Sequence, residues 1–184
     1  MKSNSFAALI GTIAIASFAV APAQEEHAEA VMSKKIEIPE SIQQEHEAIH
    51  SALVAATSVP GRVGAEAATL AAVLHPHFVR EEEIALPPLG LLAPLSAGET
   101  LPEATLSAAI EMTDALRAEM PRMLQEHVRI REAVANLRAA AEAVGAEAQV
   151  ELADELALHA RSEEQVLYPA ALLVGDLLRA QRQQ

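Results

Sequence analysis

The stretch HFVREEEIALP, beginning at His77, has a counterpart in HARSEEQVLYP, beginning at His159. Each reads His, three residues, two consecutive Glu, and a Pro six residues after the first Glu. Residues four apart on an α-helix lie about 40° apart around the axis and one turn along it. His77 with Glu81, and His159 with Glu163, therefore project to one place each. The repeat extends further back: EHEAIHSAL at Glu45 precedes the first copy and EHVRIREAV at Glu126 precedes the second. His46 stands 31 residues before His77, and His127 stands 32 before His159. A chain of two such helical pairs has few ways to fold, because each pair carries an apolar stripe that the other must cover. The predicted fold is all-α: an antiparallel four-helix bundle of two helical hairpins, followed by a short C-terminal helix.

The rest of the chain agrees with this plan. Ile42, His46, Ile49, His50 and Leu53 recur on one helical face until SVPGRVG breaks the chain at Pro60 and Gly61. Leu70, Val73, Leu74, His77, Glu81 and Ile84 mark a second helix that should stop at Pro87-Pro88. The leucine-rich stretch from Pro87 to Pro102 reads as a loop packed over one end of the bundle, as a hydrophobic plug or as a lid. Helical pattern resumes near Glu103 and passes Pro121, where a kink or split is expected, with Leu124, His127, Ile130, Arg131, Val134 and Leu137 on one face. After AVGAEA around Gly145, the last long helix carries Leu152, Leu156, His159, Glu163, Val166 and Leu167, and an amphipathic tail runs from Ala170 to about Arg179. The Ala- and Leu-rich composition, with one Tyr and three Phe among 184 residues, favours helices over sheet.

Residues 1–23 combine Lys2, an apolar run from Phe6 to Val20 and the small-residue end APA, the pattern of a cleavable signal peptide. Residues 24–37 read as a polar linker and 38–184 as the bundle, so the mature protein is expected to be soluble and periplasmic, without stable membrane insertion. A formal charge of −13 supplies no basic footprint for nucleic acid or an anionic membrane. With no cysteine, disulfides, thiolate sites and Cys-linked lipid anchors are excluded.

The inward stripes carry His46, His50, His77, Glu81, His127, His159 and Glu163. Burying so many ionisable groups is costly unless something compensates, and a metal is the usual compensation. Imidazole with carboxylate suits iron, zinc, copper or manganese. His27 falls in the linker. His75, about 200° around the helix from His77, should face away unless a kink at Pro76 turns it.

The paired motif, EHxxI followed by HxxxEE, spans about Ile38 to Leu173 and resembles the hemerythrin family, specifically the bacterial hemerythrin-like HHE domains. The resemblance implies a four-helix bundle holding two non-haem iron ions, with His46, His77, Glu81, His127, His159 and Glu163 as ligands and the two carboxylates bridging. The chain departs from the oxygen-carrying members in two ways. They have their His pair on the third helix, whereas here the pair is His46 and His50 on the first, and Arg131 occupies the equivalent place on the third. By the pseudo-equivalence of the two halves, His50 is expected to complete a five-His set. Their last carboxylate is spaced one residue further, at Glu164, but Glu164 lies about 140° from His159 by helical angle, which favours Glu163. Five His and two bridging Glu leave two octahedra short of donors, hence a position open to dioxygen, peroxide or nitric oxide. The expected function is binding of dioxygen or a related small ligand as carrier, store or sensor. The alternatives are a di-iron enzyme with peroxidase, iron-oxidase or nitric-oxide-scavenging activity, and a metal-free helical adaptor. Ferritin-like oxidases need Glu-x-x-His on two helices; this chain has that spacing once, from Glu47 to His50.

Overall fold

A computed structural model of the chain describes residues 35–183. The expected signal peptide and all but the end of the linker lie outside the described residues. The described residues are helical, with no strand among them. Helix α1 spans Glu40–Thr57, α2 Arg62–Arg80, a short α3 Leu92–Ser96, α4 Glu103–Glu142, α5 Glu147–Ser162 and α6 Tyr168–Arg182. The four long helices pack as a ring, α1 on α2, α2 on α4, α4 on α5 and α5 on α1, while α6 lies against α4. Gly61 and Gly145, at φ of +83° and +68°, make the turns into α2 and α5, a backbone region that costs other residues about 1 kcal/mol or more. No helix among the described residues is long and apolar enough to cross a membrane.

Both HxxxEE copies end in the same distortion. The turns Glu81–Ala85 and Glu163–Leu167 are π-helical, with Leu86 N–H donating to the carbonyl of Glu81 and Tyr168 N–H to that of Glu163. The following residues, Pro87 and Pro169, have no N–H to continue the pattern. Beyond Pro87 the chain leaves the helix for a 3₁₀ turn, Pro87–Leu91; beyond the second π turn it continues directly into α6, with Pro169 in that helix's first turn, a position where proline is tolerated. The tail is therefore a longer helix than its sequence suggested, beginning at Tyr168.

Two expectations need correction. Of the kink or split expected at Pro121, the split does not occur: α4 runs unbroken for 40 residues. Pro121 is exposed, so water can reach the carbonyl it leaves unpaired. The stretch after Pro87 is partly helical, and its buried leucines, Leu89 and Leu91, form a plug while Leu92 is exposed. Leu86 and Leu89 pack with Leu116, Met123, Tyr168 and Ala171, and Leu91 packs with Ile36, Ala109, Val174 and Leu178. A larger apolar cluster, including Leu53, Leu70, Leu74, Leu137 and Leu156, fills the other end of the bundle. Each fully buried Leu contributes about 1.5–3 kcal/mol. The polar layer lies between these two apolar regions.

Candidate metal centre

Each of the four long helices delivers one buried imidazole: His46 from α1, His77 from α2, His127 from α4 and His159 from α5. Glu81 and Glu163 enter from the two π turns and are 0% and 1% exposed. These six residues form two groups, His46–Glu81–His159–Glu163 and His77–Glu81–His127–Glu163, in each of which four donor atoms lie within 4.8 Å of one another. Each carboxylate divides its oxygens between the groups. Glu81 Oε2 lies 4.0 Å from His46 Nε2 and Oε1 lies 3.3 Å from His77 Nε2. Glu163 Oε1 is 2.8 Å from His159 Nε2 and 3.8 Å from His46 Nε2, while Oε2 is 3.3 Å from His127 Nε2.

The donor atoms of the first group are left over by the protein. His46 Nε2, Glu81 Oε2, His159 Nε2 and Glu163 Oε1 are buried and form no hydrogen bond. Unsatisfied buried polar atoms each cost on the order of 1–3 kcal/mol, and four converging on one space fit a cation. In the second group His77 Nε2 and His127 Nε2 stand 2.8 Å apart. Tyr168 joins them, its hydroxyl donating to Glu81 Oε1 and lying 3.2 Å from His127 Nε2.

The outward nitrogen of every imidazole is held by a carboxylate from a neighbouring helix or its π turn. His46 Nδ1 donates to Glu82 (3.3 Å), His77 Nδ1 to Glu126 (3.0 Å), His127 Nδ1 to Glu164 (2.8 Å) and His159 Nδ1 to Glu45 (3.1 Å). Each acceptor is the sequence neighbour of a group member, being the other half of an EH or EE doublet. The contacts close a cycle, α1 to α5 to α4 to α2 and back to α1. A proton fixed on Nδ1 leaves the Nε2 lone pair facing inward, the tautomer a metal needs.

Charge in the layer is shared unevenly. Burial and the nearby Glu163 charge push the Glu81 carboxyl up. Burial acts the same way on Glu163, but the close approach of the His127, His159 and His46 rings overcomes it and holds this carboxyl well below the usual range. Burial would lower His159, yet the adjacent Glu163 carboxylate and the charge of Glu81 carry it from 6.5 up to about 9. Burial and the charges of Glu81 and Glu163 keep the Tyr168 phenol protonated far above its ordinary range. For His159 the folded value exceeds the unfolded one, so its contribution to the stability of the metal-free protein is complete below pH 6.5 and lost as pH rises through about 9. The same proton must leave before Nε2 can bind a cation. The gap in melting temperature between metal-loaded and metal-free protein should therefore widen from pH 6.5 to 9. A gap that stays constant or narrows across that range in paired thermal scans would contradict this balance.

Of the seven residues expected to bind metal, the structure brings six together and leaves out His50. It lies exposed on α1 near His75, with ring centres 6.2 Å apart, because its position turns it to the α1–α2 surface, outside both groups. The fifth imidazole is thus missing, and the additional polar group in the layer is Tyr168. Glu163 faces inward, whereas Glu164 is 27% exposed and accepts from His127 and, at 2.5 Å, from Arg131. Arg131, Leu124 and Val166, read as inward, are exposed, and Met123 is buried instead. Sequence reasoning missed Tyr168 because a π turn places residue i+5, not i+4, beneath Glu163. It also missed Glu45, Glu82 and Glu126 as imidazole holders, although the EH and EE doublets were the signal.

No match to a curated protein or to a solved structure was found. Residues 119–183 match a family model, and they carry His127, His159, Glu163, Glu164 and Tyr168. That family is the hemerythrin HHE cation-binding domain, so over these residues the match supports the resemblance read from the paired motifs.

Proposed function

We propose that the protein is an exported, periplasmic non-haem di-iron protein that binds dioxygen or a related small ligand. In this reading its two hairpins form an antiparallel four-helix bundle. One observation carries the proposal: two four-donor groups share Glu81 and Glu163, each carboxylate turning one oxygen to each group. His46, His159, Glu81 and Glu163 would hold one cation, and His77, His127, Glu81 and Glu163 the other. A donor set of imidazole and carboxylate without sulfur suits iron, which when bound supplies electrons to a small oxidising ligand. The chain's own part is to fix the imidazole tautomers through Glu45, Glu82, Glu126 and Glu164, and to exclude bulk water with the apolar regions on either side. A metal-free adaptor would leave the four orphaned atoms uncompensated.

A second reading, a di-iron enzyme of the peroxidase, iron-oxidase or nitric-oxide-scavenging kind, is favoured by Tyr168, whose buried hydroxyl places a proton beside the second group. Anaerobic ferrous protein exposed to air separates the two. A visible charge-transfer absorption that appears with air and fades on deoxygenation is expected for the binding protein. Irreversible oxidation, with peroxide consumed when a reductant is present, replaces the binding reading with the enzyme. No spectral response to dioxygen, peroxide or nitric oxide defeats both.

A further inference from the structure

His50 and His75 belong to no part of the buried layer, yet they face one another across a cleft of about 380 Å³ between α1 and α2. Glu47, three residues before His50 on the same face of α1, lines the same cleft, whose inner wall is His46 stacked on Phe78 at 4.1 Å. We propose that His50, His75 and Glu47 form a surface site for a divalent transition cation, separate from the buried centre, that collects cations for it. The loading role rests on the metal-centre reading above; the surface site itself does not.

The geometry suits such an ion. With a metal–nitrogen bond of about 2.1 Å, two imidazoles sharing a cation have ring centres roughly 4.5–6.4 Å apart, according to the angle between them. The 6.2 Å observed lies at the wide end of that range, where the rings stand nearly opposite one another, and both side chains are exposed, so rotamer changes can bring them closer. Two imidazoles and one carboxylate leave the ion's other positions to water, a set typical of ferrous, cobalt, nickel, copper and zinc ions. The lining includes Glu47 and Glu82 but no Lys or Arg, so the local field draws cations in. The cleft also leads inward. Glu82 on its wall accepts from His46 Nδ1 at 3.3 Å, and His46 is a member of the first buried group. The stacked rings of His46 and Phe78 thus stand between the mouth of the cleft and the first group.

Copper(II) titration of the full chain, first incubated with ferrous iron and desalted, tests the site by calorimetry and electron paramagnetic resonance. The wild type should bind one more copper per chain than His50→Asn/His75→Asn, with nitrogen hyperfine coupling from two imidazoles. Equal copper uptake by the two proteins, or copper without imidazole coupling, overturns the site. The loading role is read separately, from the rate at which metal-free protein takes up ferrous iron. The double variant should fill several-fold more slowly to the same final content, and filling at the wild-type rate overturns that role. Should the wild type retain no iron at all, the metal-centre reading fails, while the copper difference between the two proteins still decides the surface site.

Discussion

Glu81→Ala and Glu163→Ala should each strip both metal ions from the protein, not one. Each carboxylate supplies an oxygen to both four-donor groups, so either truncation leaves two three-donor sets in a buried layer. Metal binding to a site that exists only in the folded chain is folding free energy, on the order of 10 kcal/mol for tightly held structural ions. The melting temperature of each variant should accordingly fall towards that of metal-free protein. His77→Ala, by contrast, touches only the second group and should spare the first ion. The metal-free variants should also differ from each other. Removing Glu81, whose carboxyl is pushed up by burial and by the Glu163 charge, should cost metal-free stability less, the lost acceptor for the Tyr168 hydroxyl being the main penalty. Removing Glu163 deprives three imidazoles of their counter-charge and should lower that stability more. Elemental analysis with thermal scans reads all of this, and two ions retained by either Glu→Ala variant would remove that residue from the ligand set.

Glu126→Ala should weaken metal binding about 10–100-fold although Glu126 belongs to neither group, because the partner that orients a metal-bound imidazole typically carries that much. Glu126 is 12% exposed and is held in turn by Arg122 at 3.0 Å, so little water can replace it beside His77 Nδ1. Glu45, 50% exposed beside His159, should cost much less when truncated, since solvent takes over its role. Competition with a chromophoric chelator would give both affinities. If the two variants lose equal amounts, burial does not set the importance of these carboxylates.

The helical plan and most of the buried layer were legible because 3.6-residue periodicity links sequence position to direction. His46, His77, Glu81, His127, His159 and Glu163 all fall in phase with the apolar stripes, and all are buried. Where the period changes, the reading loses its way. The π turn after Glu163 advances the phase by one residue, which puts Tyr168 inward and Val166 outward. His50 failed for another reason. One turn beyond His46 it is near the stripe in angle, but it opens onto the α1–α2 surface, where a neighbour across the cleft, His75, takes the place of a core. Which carboxylate orients which ring depends on contacts between residues 36 to 114 apart, and no local pattern carries that.

Because Glu81 comes from the first pair of long helices and Glu163 from the second, neither group can be assembled from one pair. The first pair contributes His46 and Glu81 to one group and His77 and Glu81 to the other, and the remaining half of each set lies at or beyond His127. A chain is made from its N-terminus onward, so during synthesis no complete donor set exists until the segment through Glu163 has emerged. A product ending before that point retains exposed imidazoles and a lone carboxylate, and it forfeits the stabilisation that a bound ion would add. Under the proposed metal-centre reading, the shared carboxylates make ion retention a report on chain completeness, so an unfinished copy stays open to unfolding and proteolysis when the finished one is closed.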